Sequence, residues 1–160
     1  MSTAIQAPAP LASDLCWLLA RASHALTTEL TSALESSGIS PRAHSVLATA
    51  MTGEYTQTEL ARLVGLDKTT MVVTVDELEA AGLAERRASA SDRRARVIVA
   101  TKAGQSKVRE ADSVLNRVRD DVLDSLPEDE REVFLRALGR LACGRLSEPV
   151  PCAHPVRRRA

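Results

Sequence analysis

The sequence predicts a mainly α chain with one small β-wing: a winged helix-turn-helix reader flanked by N- and C-terminal dimerisation helices. Three observations carry this. Apolar residues recur at three- and four-residue steps over most of the chain, the period of amphipathic helices. The period changes after Gly82, where Leu83–Ala88 and Arg96–Ala100 read as strands, the second rich in β-branched Val97, Ile98 and Val99. Two short helix signals joined by a Gly-containing turn stand just before that change.

The two short helices carry their own punctuation. Thr56 with Glu59 three residues on has the spacing of a capping box. Leu60, Ala61, Leu63 and Val64 supply an apolar face, and Gly65 permits the positive φ that ends the helix. Asp67 caps the second helix, whose inward face is Met71, Val75, Leu78 and Ala81, with Gly82 as its stop. The first turn of that helix offers Lys68, Thr69 and Thr70. A cation and two hydroxyls beside free helix N–H groups suit phosphate oxygens and base edges in a DNA major groove. Thr74 is a further candidate for a base contact. The loop Ser89–Arg94 presents Arg93 and Arg94, and arginine is drawn to the negative potential of the minor groove. Thr101 is expected to cap the next helix.

The run DKTTMVVTVDELEAAGL followed by DRRARVIVATKAG, with Asp92-Arg93-Arg94 and a Thr-x-x-Gly at this spacing, resembles the MarR family of bacterial transcription regulators. The likeness covers residues 11–147 in element order and is specific over 56–104. It implies a sequence-specific DNA-binding regulator, a repressor in the preferred reading and an activator in the alternative. It also implies that Lys68, Thr69 and Thr70 open the recognition helix, that Asp92 steadies the wing, and that Arg94 reaches the minor groove with Arg93 and Arg96 assisting at phosphates. The chain departs from many relatives in having Val73 and Glu77 where they carry basic residues. Valine can touch a thymine methyl but cannot make arginine's bidentate bond to guanine.

The flanking segments read in order as follows. Residues 1–10 are a small, proline-punctuated arm, 11–147 the folded domain, and 148–160 a tail rich in proline and arginine, expected to be disordered. Within the domain, helices over 11–36 and 102–147 enclose a reader over 40–104. Leu11 to Glu35 carries one broad leucine stripe. Ser40-Pro41 starts the next helix, with Val46, Leu47, Ala50 and Met51 inward. A long helix from Lys102 to Asp124 presents Val108, Ala111, Leu115, Val118 and Val122, with Leu126 beyond it. Pro127 then starts a last helix lined by Val133, Phe134, Ala137, Leu138, Leu141 and Leu146. A compact reader does not need so much apolar helix. An isologous homodimer addressing a palindromic operator accounts for the excess, and a monomeric helical bundle is the alternative.

Composition bounds the rest. At 160 residues the chain builds one core, and with a single Trp, Tyr and Phe that core is aliphatic. The net charge of zero conceals an asymmetry. Between Ala84 and Arg109 lie eight of the 21 basic residues and two of the 21 acidic ones, leaving 13 against 19 elsewhere. No stretch is apolar enough to cross a membrane and no secretory leader is evident, so a cytoplasmic location is expected. Three cysteines at irregular spacings make no disulfide framework. No phosphate-cradling Gly-rich loop, nucleophile elbow or paired carboxylates point to an enzyme. Cys152 and His154 lack two further metal ligands, so neither metal nor cofactor is called for.

Two effector sites follow from the resemblance. It implies a small-molecule site between dimer helices and reader, which Trp17, Arg21, His24 and His44 are placed to line. The segment LCWLLARAS resembles the peroxide-sensing branch, making Cys16 an alternative redox site with Cys143 or Cys152 as resolving partner. Against that stands the absence of that branch's tyrosines near Cys16, so an ordinary core cysteine is the preferred reading. A winged-helix protein-interaction module is the remaining alternative for the reader.

Overall fold

The computed structural model describes residues 8–92, 94–148 and 150. The described chain forms α1 (Leu15–Ala33), a 3-10 turn (Glu35–Ser37), α2 (Pro41–Ala50), α3 (Gln57–Val64), α4 (Lys68–Ala80), β1 (Ala84–Ala88), β2 (Arg96–Ala100), α5 (Lys102–Leu123) and α6 (Glu128–Arg140). It divides into two compact units, the first ending at Val118 and the second beginning at Arg119. The expected arm and tail, with Cys152, fall largely outside the described residues, as does Arg93.

The first unit holds the core. Leu34, Val46, Leu47, Leu60, Met71, Val75, Leu78, Ile98, Val108 and Ala111 form one cluster. α2 packs against α3, α4 and β2, so it is the central layer of the reader. β1 and β2 pair antiparallel, with Arg86 opposite Ile98. A third edge is added where Thr56 bridges Val97 and the Tyr55 carbonyl accepts the Ile98 N–H at 3.0 Å.

Local chemistry places the ends. The Thr56–Glu59 capping box is complete: the Thr56 hydroxyl accepts the Glu59 N–H and Glu59 accepts the Thr56 N–H. Gly65 turns the chain at φ 74° and Asp67 caps α4. Thr101 Oγ1 accepts the Gly104 N–H at 3.1 Å and donates to the Gly82 carbonyl at 2.8 Å, so one hydroxyl caps α5 and ties it to the end of α4. A Cβ on Gly104 would lie 2.0 Å from the Leu83 carbonyl oxygen. The glycine of the Thr-x-x-Gly is therefore a close-approach requirement.

Several expectations are corrected. α1 begins at Leu15 rather than Leu11, because Asp14 caps it, accepting the Trp17 N–H at 2.7 Å, after a hydrogen-bonded turn over Pro8–Leu11. Met51 is exposed because α2 ends at Ala50 and Met51 lies beyond its packed face. Leu63 and Ala81 are also exposed, at helix ends that turn away from the core. The strand signal at Leu83 belongs to the turn before β1.

In the second unit, Arg131 bonds the Asp124 carboxylate at 2.5 Å and the Leu126 carbonyl at 3.1 Å, fastening the turn into α6. None of the residues of α6 is buried: Val133 is 52%, Phe134 47% and Leu135 46% exposed. Beyond α6, Leu141–Arg145 forms a π-helical turn, broken at Gly144.

Candidate nucleic-acid interface

The interface is built on α4 and the β1–β2 wing. At the start of α4, Lys68 and Thr69 are exposed. Thr70 is half-buried, and its hydroxyl proton is committed to the cap: Oγ1 donates to Asp67 Oδ2 at 2.6 Å while its N–H donates to Oδ1 at 2.9 Å. The Thr70 hydroxyl, then its N–H, hold the Asp67 carboxyl below the usual carboxylate range. The Thr56 N–H, then its hydroxyl, do the same for Glu59.

Thr74 is not available to a base. It is fully buried, and its hydroxyl donates to the Thr70 carbonyl at 2.8 Å. Its position, between Met71 and Val75 on the inward arc of α4, places it in the core, where bonding back to the preceding turn satisfies its polar atom.

The wing is held at its base from the first half of the chain. Ser89 is buried and donates to Glu54 at 2.8 Å, and Glu54 also receives the Ala90 N–H at 3.3 Å. At the tip, Asp92 Oδ1 accepts the Arg94 N–H at 2.9 Å, the bond that shapes the turn presenting Arg94. Arg94 and Arg96 are exposed.

Not every wing cation is available for DNA. Arg86 is bonded inward: its backbone N–H donates to Glu79 at 2.8 Å, and its guanidinium donates to Glu79, to Asp76 at 2.6 Å and to Gln57 at 3.1 Å. The Asp76 hydrogen bond first, and the nearby Glu79 charge, push its guanidinium pKa higher still. Arg86 thus joins α3, α4 and β1. Arg87 pairs with Glu85, and Lys107 with Glu110 at 2.8 Å. Counting charges along the sequence could not separate these from the cations of the wing tip. The available signal was two acids three apart on α4, Asp76 and Glu79, followed by an arginine on the next strand.

Trp17 is half-buried with the Arg21 guanidinium 5.6 Å from its ring centre. His44 is bonded through Nε2 to Asp112 at 2.8 Å, joining α2 to α5. His24 lines an open groove in the first unit, with Thr27, Thr28, Thr31, Leu34 and Ile39. Cys16 is exposed rather than part of a core, because α1 buries none of its residues in the single chain. Cys143 is also exposed. Among the described residues no group of three metal-ligating side chains comes together, and no helix is long and apolar enough to cross a membrane.

A capped recognition helix joined to a two-stranded wing by a shared ionic cluster defines a winged helix-turn-helix protein. A family model described as MarR family matches residues 37–95. The chain is similar to CouR from Rhodococcus jostii RHA1, solved with p-coumaroyl-CoA, at 29% identity over 88% of this chain and 97% of that one (TM-score 0.75). A MarR-family transcriptional regulator from Rhodococcus sp. RHA1 is 27% identical over 88% and 99% of the two chains (TM-score 0.76). The repressor CouR bound to a 23-mer DNA duplex matches at 26% identity over 86% and 99% (TM-score 0.77). The match over the reader and these likenesses support a MarR-family winged-helix regulator, that is, a DNA-binding transcriptional regulator.

Proposed function

We propose that the chain acts in the cytoplasm as a homodimeric repressor on a palindromic operator. Lys68 and Thr69 engage phosphates and base edges in the major groove, where Thr70 offers its hydroxyl oxygen as an acceptor to a base; Arg94 enters the minor groove, and Arg93 and Arg96 contact phosphates, with Asp92 shaping the wing. The observation that carries this reading is the division of labour among the wing's cations. Arg86 and Arg87 are spent on neighbouring acids, whereas Arg94 and Arg96 are left exposed on the same ribbon. Two readers related by a twofold axis address half-sites about 34–36 Å apart. The exposed leucines of α1 and the stripe of α6 supply apolar surface for the second copy.

The effector in this reading is a small aromatic or lipophilic molecule that lowers affinity for the operator. The solved complex of CouR with p-coumaroyl-CoA, at 29% identity, makes an aromatic acid or its thioester the first class to try.

Binding of the purified protein to its own upstream DNA, across a salt series, tests the reading. Affinity should fall steeply as salt rises, because phosphate contacts release counterions. Arg94→Ala should weaken binding about tenfold or more, the order expected for one lost groove contact. Binding indifferent to both salt and Arg94 would turn the same surface towards a protein partner.

A further inference from the structure

We propose that Val73 is a specificity-determining residue that reads the 5-methyl group of a thymine in each operator half-site. The inference rests on the DNA-binding reading above and names a base that this surface selects.

Helix geometry puts Thr69, Val73 and Asp76 within about 60° of arc on α4. All three are exposed, while Met71, Thr74, Val75 and Leu78 face the core. Val73 is 47% exposed and is the one large apolar side chain exposed on α4 among the described residues. Its neighbour one turn towards the N-terminus is the hydroxyl of Thr69. On the other side stands Asp76, whose charge is offset by the Arg86 guanidinium at 2.6 Å. A methyl-bearing side chain therefore sits mid-face on the helix that enters the groove, between a hydrogen-bonding group and a neutralised acid.

The major groove offers one methyl group, that of thymine; guanine and adenine edges and the cytosine amino group present donors and acceptors. A valine pressed on guanine or cytosine would strip water from those groups and return no hydrogen bond, a penalty rather than a neutral contact. Over a thymine methyl the same side chain removes apolar surface from water on both partners. Discrimination thus has two parts, an attraction to thymine and a desolvation cost against G·C pairs.

The test uses the full-length protein and a duplex it selects from a randomised pool. Thymines in that duplex are replaced one at a time by deoxyuridine, which removes the methyl group and leaves every hydrogen-bonding atom. One symmetry-related pair of thymines should respond, each replacement weakening wild-type binding about fourfold, the worth of one buried carbon. Val73→Ala should bind the unmodified duplex more weakly by a similar factor and should ignore deoxyuridine at those positions. Because the side chain is exposed and alanine favours helix, the variant's circular dichroism should match the wild type. Enrichment of a salt-sensitive duplex with no methyl-sensitive thymine overturns the inference alone. So does methyl sensitivity that persists undiminished in Val73→Ala. If no duplex is enriched, the DNA-binding reading fails and takes this inference with it.

Discussion

α4 and α6 are both 13 residues long, yet their apolar residues have different fates. α4 buries Met71, Thr74, Val75 and Leu78 against residues that other elements bring from elsewhere in the chain. α6 buries none, although it carries four large apolar side chains, Val133, Phe134, Leu135 and Leu138, against five in α4. Periodicity announces that a helix has an apolar face; it does not announce what covers that face. For α4 the cover is the chain itself. For α6 we assign it to a second copy, so the two helices separate what folding supplies from what assembly supplies.

The largest expected effect breaks the reader from within. In Gly104→Ala the new methyl would meet the Leu83 carbonyl oxygen, which cannot retreat freely because it accepts the Thr101 N–H at 3.0 Å. Moving it opens the joint between α4, the wing and α5. The substitution should cost more than about 3 kcal/mol and lower the melting temperature by roughly 10 °C. In α6, a Cβ on Gly139 meets nothing within 4 Å in the single chain, so Gly139→Ala is the matched control and should leave melting unchanged or raise it. Equal melting of the two variants would mean that the joint at Gly104 gives way cheaply.

A smaller effect on the fold, but a large one on assembly, is expected from the stripe. Val133→Ser with Phe134→Ser removes the exposed apolar centre of α6 without touching the core cluster. Sedimentation should show a dimer converted to monomer while the reader's cooperative melting is retained. Operator affinity should fall about 100-fold or more, because two linked readers gain effective concentration that a single one lacks. An unchanged dimer would place the seam elsewhere.

The same contrast explains how much was legible in the sequence. Thr56 with Glu59, Gly65, Asp67 and Thr101 with Gly104 are signals contained within a few residues, and each stands where it was expected. The charge count over residues 84–109 includes Arg86 without showing its partners, which lie seven and ten residues back on another element, with Gln57 29 residues away. Thr74 reads as a base contact in the sequence because a hydroxyl on a recognition helix looks functional. Its burial follows from the angle it shares with Met71 and Val75, information present in the helical period but outweighed by residue type. The absence of tyrosines near Cys16 favours a core cysteine in the sequence, yet α1 in the single chain buries none of its residues, because a leucine stripe without its cover buries nothing. The candidate site was legible where its residues are exposed and local, and misread where a side chain's partner arrives from a distant part of the chain.

The smallest expected effect separates the two helices by their caps. α4 starts on Asp67 and α3 on the Thr56–Glu59 box, and both carboxyls are held below their usual range by hydrogen bonds to the charged form. Such a group stabilises the fold fully above its unfolded pKa, about 3.9 for Asp and 4.3 for Glu, and that stability disappears as pH falls through the lower folded value. The pH dependence of the reader's melting should therefore be free of these groups between pH 7 and about 5, where their contribution is fully present, and melting should start to lose that contribution below about pH 4. Asp67→Asn keeps a side-chain oxygen that can accept the Thr70 N–H but no longer titrates, so its acid slope should be shallower than the wild type's. α6 begins on Pro127, which makes no side-chain cap bond, so no cap of this kind exists there to be lost. An acid slope identical in Asp67→Asn and wild type would mean that the cap of the recognition helix holds through its neutral hydrogen bonds alone, and that charge at Asp67 does not help fix the turn from which Lys68 and Thr69 are presented.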